Sequence, residues 1–420
     1  MIANTPPMGW NSWDCYGAAV TEDTVRKNAA YMAEHLKQYG WEYIVVDIQW
    51  ACGTSSGHAY DPFAELTMDG YGRLTPALNR FPSAADGKGF RPLADYVHSL
   101  GLKFGIHIMR GMPRMAAHRR LPVEGSGYTC DTAADPHSIC MWNPDMYGLR
   151  CERPEAKAYY DSIFRLYASW GVDFIKCDDI AREYPHCKRE IELISESCRN
   201  CGRDMVLSLS PGPAPLEQAE HLKKYANMWR ITDDFWDDWR LLRAMFERAE
   251  KWCIHAAPGH WPDADMLPVG ALRQCDSPDG WTRFTKAEQR TMMSLWCIMR
   301  SPLMIGGEMT KNDEFTLDLL TRQEVLEIEK ETMCGHPLRT TEEESVWIAP
   351  RKDGEGLYLA LFNLGDKRRA VTVSAEDAEL PFLSGRELWT GKTARKAKRL
   401  RTALGPHDAA VWYVKTKGDA

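Results

Sequence analysis

Phe174-Ile175-Lys176-Cys177-Asp178-Asp179 is the stretch that decides the fold. The mainly apolar run Val172 to Ile175 ends abruptly in a lysine and then a carboxylate. A buried parallel strand reads this way when its last residues open onto a reaction centre. A second ending of the same kind is Trp229-Arg230-Ile231-Thr232-Asp233-Asp234. In each, a cation precedes the carboxylate within one turn of chain. Two carboxylates so placed suit acid/base work on a neutral polar substrate.

Outward from these two segments, apolar runs alternate with helical patterns. Strands are predicted at Tyr43 to Val46, Leu102 to Ile108, Val172 to Ile175, Met205 to Leu209 and Met228 to Ile231. Amphipathic helices are predicted over Thr21 to Tyr39, stopped by Gly40, and over Pro154 to Trp170 and Trp239 to Trp252. Met8 to Trp13 reads as a first strand end, and Cys253 to His260 and Ser294 to Ile305 complete the set. About eight βα units make an α/β (β/α)8 barrel. Gly- and Pro-rich insertions over Gly53 to Arg91 and Gly111 to Pro154 fall on one rim, where long connections shape a pocket. After Cys334 the segments become short and β-rich, punctuated by glycine. The predicted division is a catalytic barrel over 1–333 and a C-terminal antiparallel β-sandwich over 334–420.

The chain has 420 residues, 44% of them apolar, and a net charge of −7. With no basic cluster before the tail, nucleic acid is not an expected partner. The Lys/Arg-rich stretch Lys392 to Arg401 reads as a solvated strand pair or turn. No run of about 18 apolar residues exists to span a membrane. The opening Met1 to Pro7 carries no secretory pattern, and the 13 cysteines follow no framework spacing. Buried thiols in a cytoplasmic protein are the expectation, with Cys198-Arg199-Asn200-Cys201 structural rather than metal-binding.

A barrel gathers the polar residues that follow its strands on one face. In order these are Trp13, Asp47, His107, Lys176 with Asp178, Ser208 with Ser210, Arg230 with Asp234, and Asp263 with Asp265. Lys176 and Asp178 share one side of a strand, so the lysine keeps Asp178 ionised, as a nucleophile requires. Asp234 stands beside Asp233, and like charge with partial burial is expected to favour a protonated general acid. Trp13 offers a flat apolar surface to a sugar ring. Phe235, Trp236 and Trp239 read as helix core.

These motifs resemble the α-galactosidases of glycoside hydrolase family 27. The resemblance lies in Pro6-Pro7-Met8-Gly9-Trp10-Asn11-Ser12-Trp13, in Lys176-Cys177-Asp178, in Trp229 to Asp234, and in Gly259 to Leu267. It implies a retaining double displacement with Asp178 as nucleophile and Asp234 as acid/base. Trp13, Asp47, Lys176, Arg230 and Asp265 would hold the sugar, and no metal or other cofactor is implied. The departures point to a subgroup. The family's second strand usually ends in two aspartates; here it ends in Asp47-Ile48. Ile48 cannot accept a hydrogen bond from a 6-hydroxyl, a loss of about 1–3 kcal/mol. L-Arabinopyranose in its β linkage is α-D-galactopyranose without that CH2OH group, and the change is similar to that in the family's β-L-arabinopyranosidases. His107 replaces a common tyrosine, and Ile180 stands where a loop-disulfide cysteine is frequent. Ser208 and Ser210 fall on the loop that reads the sugar's 2-substituent.

The implied activity is release of terminal β-L-arabinopyranose, α-D-galactose or both, with a plain α-galactosidase as the alternative. Two more remote readings are a metal-dependent barrel hydrolase and a non-catalytic carbohydrate-binding protein. A single strand-end histidine without an HxH pair speaks against the first, and the presence of both Asp178 and Asp234 against the second. Long rim insertions and the β domain permit a homo-oligomer without requiring one.

Overall fold

Eight parallel strands, all short and buried, form the wall of a barrel in the computed structural model, which describes residues 2–416. They are β1 Met8–Asn11, β2 Tyr43–Val46, β3 Lys103–Met109, β4 Phe174–Asp178, β5 Val206–Leu209, β6 Met228–Arg230, β7 Trp261–Asp263 and β8 Leu303–Ile305. Each pairs with its neighbour in chain order, and β8 returns to β1 with Met8 opposite Leu303. Between β7 and β8 closure rests on a single bridge, Leu267 with Ile305. The chain kinks there: Asp265 has φ 81°, so the residues just after β7 cannot run on as a regular strand.

Helices follow the predicted rhythm. Pro154–Trp170 begins with Pro at its first position, where a missing N–H costs nothing, and stops at Gly171, whose φ of 84° suits glycine. Trp239–Trp252 has Asp238 as its cap, the side chain accepting from the Arg240 N–H. The predicted Thr21–Tyr39 helix is regular only over Glu22–Tyr31. It continues as a wide turn over Met32–Leu36 and a tight one over Lys37–Tyr39.

Three expectations are corrected. Trp13 is not on the first strand but opens a one-turn helix, Trp13–Tyr16. Cys253–His255 is a tight turn ending the preceding helix, and the seventh strand begins only at Trp261. Ser294 to Met299 lies inside the helix Lys286–Met299. The second half of that helix, Thr291–Met299, is buried all round because it is covered on both sides, by the barrel and by the C-terminal sheet. Its continuous hydrophobicity mimics a buried strand.

The C-terminal part has six strands in one antiparallel sheet and two in a second. Alternation along Glu344–Pro350 shows how it sits. Trp347 and Ala349 join the barrel's core cluster, while Val346 and Ile348 join the sandwich's own. Of three further strands, His336–Thr340 went unread, and Thr393–Ala397 and Arg399–Leu404 were read only as a strand pair or turn. The last two fall in the Lys/Arg-rich stretch, but they do not pair with each other. Thr393–Ala397 pairs with Leu383–Glu387, and Arg399–Leu404 with Arg369–Ser374. Among the described residues no helix is long and apolar enough to cross a membrane.

Because barrel and sandwich share one core, damage at their junction should not stay local. Phe362 is fully buried and meets Phe246 of Trp239–Trp252 edge to face at 4.9 Å. Phe362→Ala is expected to cost about 3–5 kcal/mol. In urea, near-UV signals from both parts should shift together.

Candidate active site

The strand ends bring the ten predicted site residues together in two neighbouring clusters, with Trp13 on the aromatic rim of the cavity they share. One cluster is centred on the Lys176 ammonium. Nζ donates to Asp47 Oδ2 at 2.8 Å and lies 3.9 Å from Asp178 Oδ2. Lys176 and Asp178, two residues apart on β4, face the same side, and the register sets His107 of β3 opposite Lys176. Asp178 is further held by His107 Nε2 at 3.0 Å and by the Ser210 hydroxyl, which donates to Oδ1 at 2.8 Å. Burial opposes ionisation of Asp178, but Lys176, His107 and Ser210 outweigh it and hold its carboxyl well below the usual range. Asp47 is likewise held low against its burial, chiefly by Lys176. It also accepts from Asn11 Nδ2 at 2.7 Å and from the Ile48 N–H at 2.8 Å.

A second knot surrounds Arg230, the last residue of β6. Its guanidinium bonds Asp265 Oδ1 at 2.7 Å and Asp234 Oδ1 at 3.1 Å. Asp265 also accepts the Phe235 N–H at 2.7 Å. Burial pushes the Asp265 carboxyl up to about 7 despite Arg230, with Asp234 and Asp263 adding to the push. Three residues just past strand ends take left-handed backbone without being glycine: Gln49, Asp179 and Asp265. Such geometry costs on the order of 1–3 kcal/mol each and concentrates at functional sites.

Asp178 and Asp234 line the same cavity of about 340 Å³, together with Trp13, Ile48, Tyr60 and Trp236. Ile48 is buried and presents its side chain as apolar wall. Trp13 stacks on Tyr60 at 5.5 Å and 10°. The expected reason for a protonated Asp234 is not found. Asp233 pairs through Oδ2 with Arg182 at 3.0 Å and through Oδ1 accepts the Asp234 N–H, and the Asp234 side chain is half exposed. Ser210 and His107, expected to touch substrate, each hydrogen-bond Asp178.

Sequence reasoning missed several lining residues. Phe235 and Trp236, read as helix core, precede the helix and both line the cavity, Phe235 also packing on Trp296, while Trp239 is packed away, stacking on His407. Tyr60 belongs to an insertion read as pocket-forming but not resolved to a residue. Asp14 follows Trp13 directly and was passed over. It is buried beneath the cavity, with Oδ2 free of any hydrogen-bond partner among the described residues. Burial and then Asp265 raise its carboxyl far above the usual range.

A closed parallel barrel with paired carboxylates and an aromatic rim at its strand ends defines a glycoside hydrolase. The chain belongs to the α-galactosidase family, glycoside hydrolase family 27. The family model described as alpha galactosidase A matches residues 5–150 and 143–331, and that for the alpha galactosidase C-terminal beta sandwich domain matches 341–414. The crystal structure of Abp, a GH27 β-L-arabinopyranosidase from Geobacillus stearothermophilus, is 51% identical. It covers 100% of this chain and 98% of its own, with a TM-score of 0.96. A variant of that enzyme in complex with arabinose superposes equally well, with a TM-score of 0.96. The α-galactosidase of Cyamopsis tetragonoloba is 29% identical over 398 residues, 93% of this chain and 81% of that protein.

Removing the central cation tests this electrostatic account. Lys176→Met leaves Asp47 and Asp178 buried without it and should destabilise the fold by about 3–5 kcal/mol near neutral pH. Both carboxyls lie below their unfolded values. The stability they supply is therefore complete above about pH 4 and lost as pH falls through the folded values. Acid unfolding followed by circular dichroism should begin at higher pH in Lys176→Met than in wild type.

Proposed function

We propose that this protein is a retaining exo-glycosidase that releases terminal β-L-arabinopyranose, with α-D-galactosides as the poorer substrates. The observation that carries the substrate assignment is Ile48. Its side chain lines the cavity that holds both carboxylates, and its N–H fixes Asp47. An apolar wall at that point suits a pyranose without the CH2OH group. A 6-hydroxyl there would lose a hydrogen-bond partner. The arabinopyranosidase activity of the 51% identical relative supports the same choice.

In the proposed reaction Asp178 attacks the anomeric carbon while Asp234 gives its proton to the leaving glycosidic oxygen. The aglycone departs as an alcohol and a glycosyl ester forms on Asp178. Asp234, now a carboxylate, takes a proton from water as that water attacks the same carbon. The sugar is released with its configuration retained and both carboxyls are restored. His107, Ser210 and Lys176 keep Asp178 ionised and aimed. Arg230 holds Asp234 against Asp265, so the acid is located by an ion pair rather than by packing. Half exposure of Asp234 lets it exchange protons with solvent between the two steps. Trp13 stacks on the C–H face of the sugar, and Asp47, Lys176, Arg230 and Asp265 take its hydroxyls. The 13 cysteines are all free thiols, which supports a reducing compartment.

Two measurements test this. Asp178→Ala should lower turnover of an aryl β-L-arabinopyranoside by roughly 10⁴-fold or more; undiminished turnover removes the nucleophile assignment. The ratio of kcat/KM for the arabinopyranoside to that for the matching α-D-galactopyranoside should fall about tenfold or more in Ile48→Asp, the effect of one hydrogen bond. An unchanged ratio leaves a plain α-galactosidase.

A further inference from the structure

Beside the sugar cavity, and outside the carboxylate cluster, a histidine, a cysteine and an aspartate converge. His58 comes from the insertion after β2, Cys275 and Asp276 from the loop after β7. One ligand atom from each lies within 4.8 Å of the other two. His58 Nδ1 contacts Asp276 Oδ2 directly, and Cys275 Sγ is 3.6 Å from the same nitrogen.

His58 Nε2 lies 2.9 Å from the Trp13 carbonyl oxygen, which can only accept, so Nε2 is the donor there. Nδ1 is turned to Asp276 Oδ2 and to Cys275 Sγ. A proton on Nδ1 closes a hydrogen bond to the carboxylate; a metal cation would replace that proton as the shared partner of nitrogen, carboxylate and sulfur. A backbone carbonyl that takes the far N–H of a histidine is also the usual support of a metal-bound imidazole.

The surroundings hold the three donors in place. Gln274 N–H donates to Cys15 O at 2.6 Å, and Arg273 N–H to Asp14 O at 2.8 Å, tying this loop along the segment that carries Trp13. On the other side Gly57 has φ 66°, and a Cβ there would come within 2.4 Å of Asp276 Oδ1, so the insertion can approach the carboxylate this closely only with glycine. Asp276 is half exposed, which leaves the place open to ions from solvent.

We propose that His58, Cys275 and Asp276 form a site for a zinc-class divalent cation at the rim of the sugar pocket. Nitrogen, thiolate and carboxylate are the donor set such ions take, and three protein ligands leave a fourth position for water. Binding displaces the thiol proton of Cys275 to solvent. The cation clamps the insertion carrying His58 and Tyr60 to the loop after β7, above the Trp13 platform. It lies off the reaction centre and takes no part in glycoside cleavage.

Cobalt(II) is the probe, added to the full-length protein after dialysis against a chelator. One equivalent should give a thiolate-to-cobalt charge-transfer band, and zinc should bleach it by displacement. Cys275→Ser should abolish the band, and Asp276→Asn should weaken binding at least tenfold. Zinc should raise the Tm of wild type and leave that of Cys275→Ser in place. No band at saturating cobalt overturns the site, as does a band of undiminished intensity in Cys275→Ser, which would assign it to another thiol. None of these readings uses glycosidase turnover, so the site and the substrate assignment fail separately.

Discussion

The lysine ammonium between Asp47 and Asp178 is the constraint on which the site rests. Two carboxylates ending neighbouring parts of a barrel rim, both buried, would repel each other and resist ionisation. A single cation 2.8 Å from one and 3.9 Å from the other makes both charges tenable. That cation is itself buried, and the pair of anions keeps it protonated. None of the three is stable in this setting without the other two. Their joint placement requires β2, β3 and β4 to hold their register, so the electrostatics and the barrel depend on each other. Arg230 repeats the arrangement across the cavity with Asp265 and Asp234. The floor of the site is therefore two cation-centred clusters, with the carboxylates proposed for chemistry divided between them.

What was legible beforehand was whatever local chemistry states plainly. A strand ending in Lys-Cys-Asp announces both its burial and its open end, and Lys176, Asp178, Arg230 and Asp47 all fall where that reading puts them. Pro154–Trp170 and Trp239–Trp252 carry their own start signals and match residue for residue. Tertiary context hid the remainder. Ser294 to Met299 looks like a strand because both of its sides are covered, and periodicity vanishes when nothing faces water. Tyr60 and Trp236 sit in irregular chain, where no period marks a direction. Asp233 was read as an electrostatic neighbour of Asp234 because it is adjacent in sequence. In space Arg182 takes it, and adjacency along a turn is no measure of distance between side chains.

Ile48 shows how narrow the difference between related sugars is. The polar groups proposed to hold the sugar would serve a galactoside equally: Asp47 is paired with Lys176, and Arg230 with Asp265. In the proposed reading selectivity is left to one wall position, where a methyl-bearing side chain stands at the place the family resemblance gives to an aspartate. A hydrophobic wall discriminates weakly against a slightly larger ligand and more firmly against one whose hydroxyl it strands. The neighbouring backbone sharpens the point, since the Ile48 N–H is already committed to Asp47 and cannot turn to serve the sugar.

The helix Lys286–Met299 has consequences for how this architecture can be divided. With Met292, Met293, Leu295, Trp296, Ile298 and Met299 all buried, its second half has no side that water could accept. A chain cut after the barrel would expose a broad oily strip and present it to other chains. The sandwich is therefore a lid on the scaffold's own hydrocarbon. Any recombination that exchanges it must supply an equally greasy underside or yield an insoluble product.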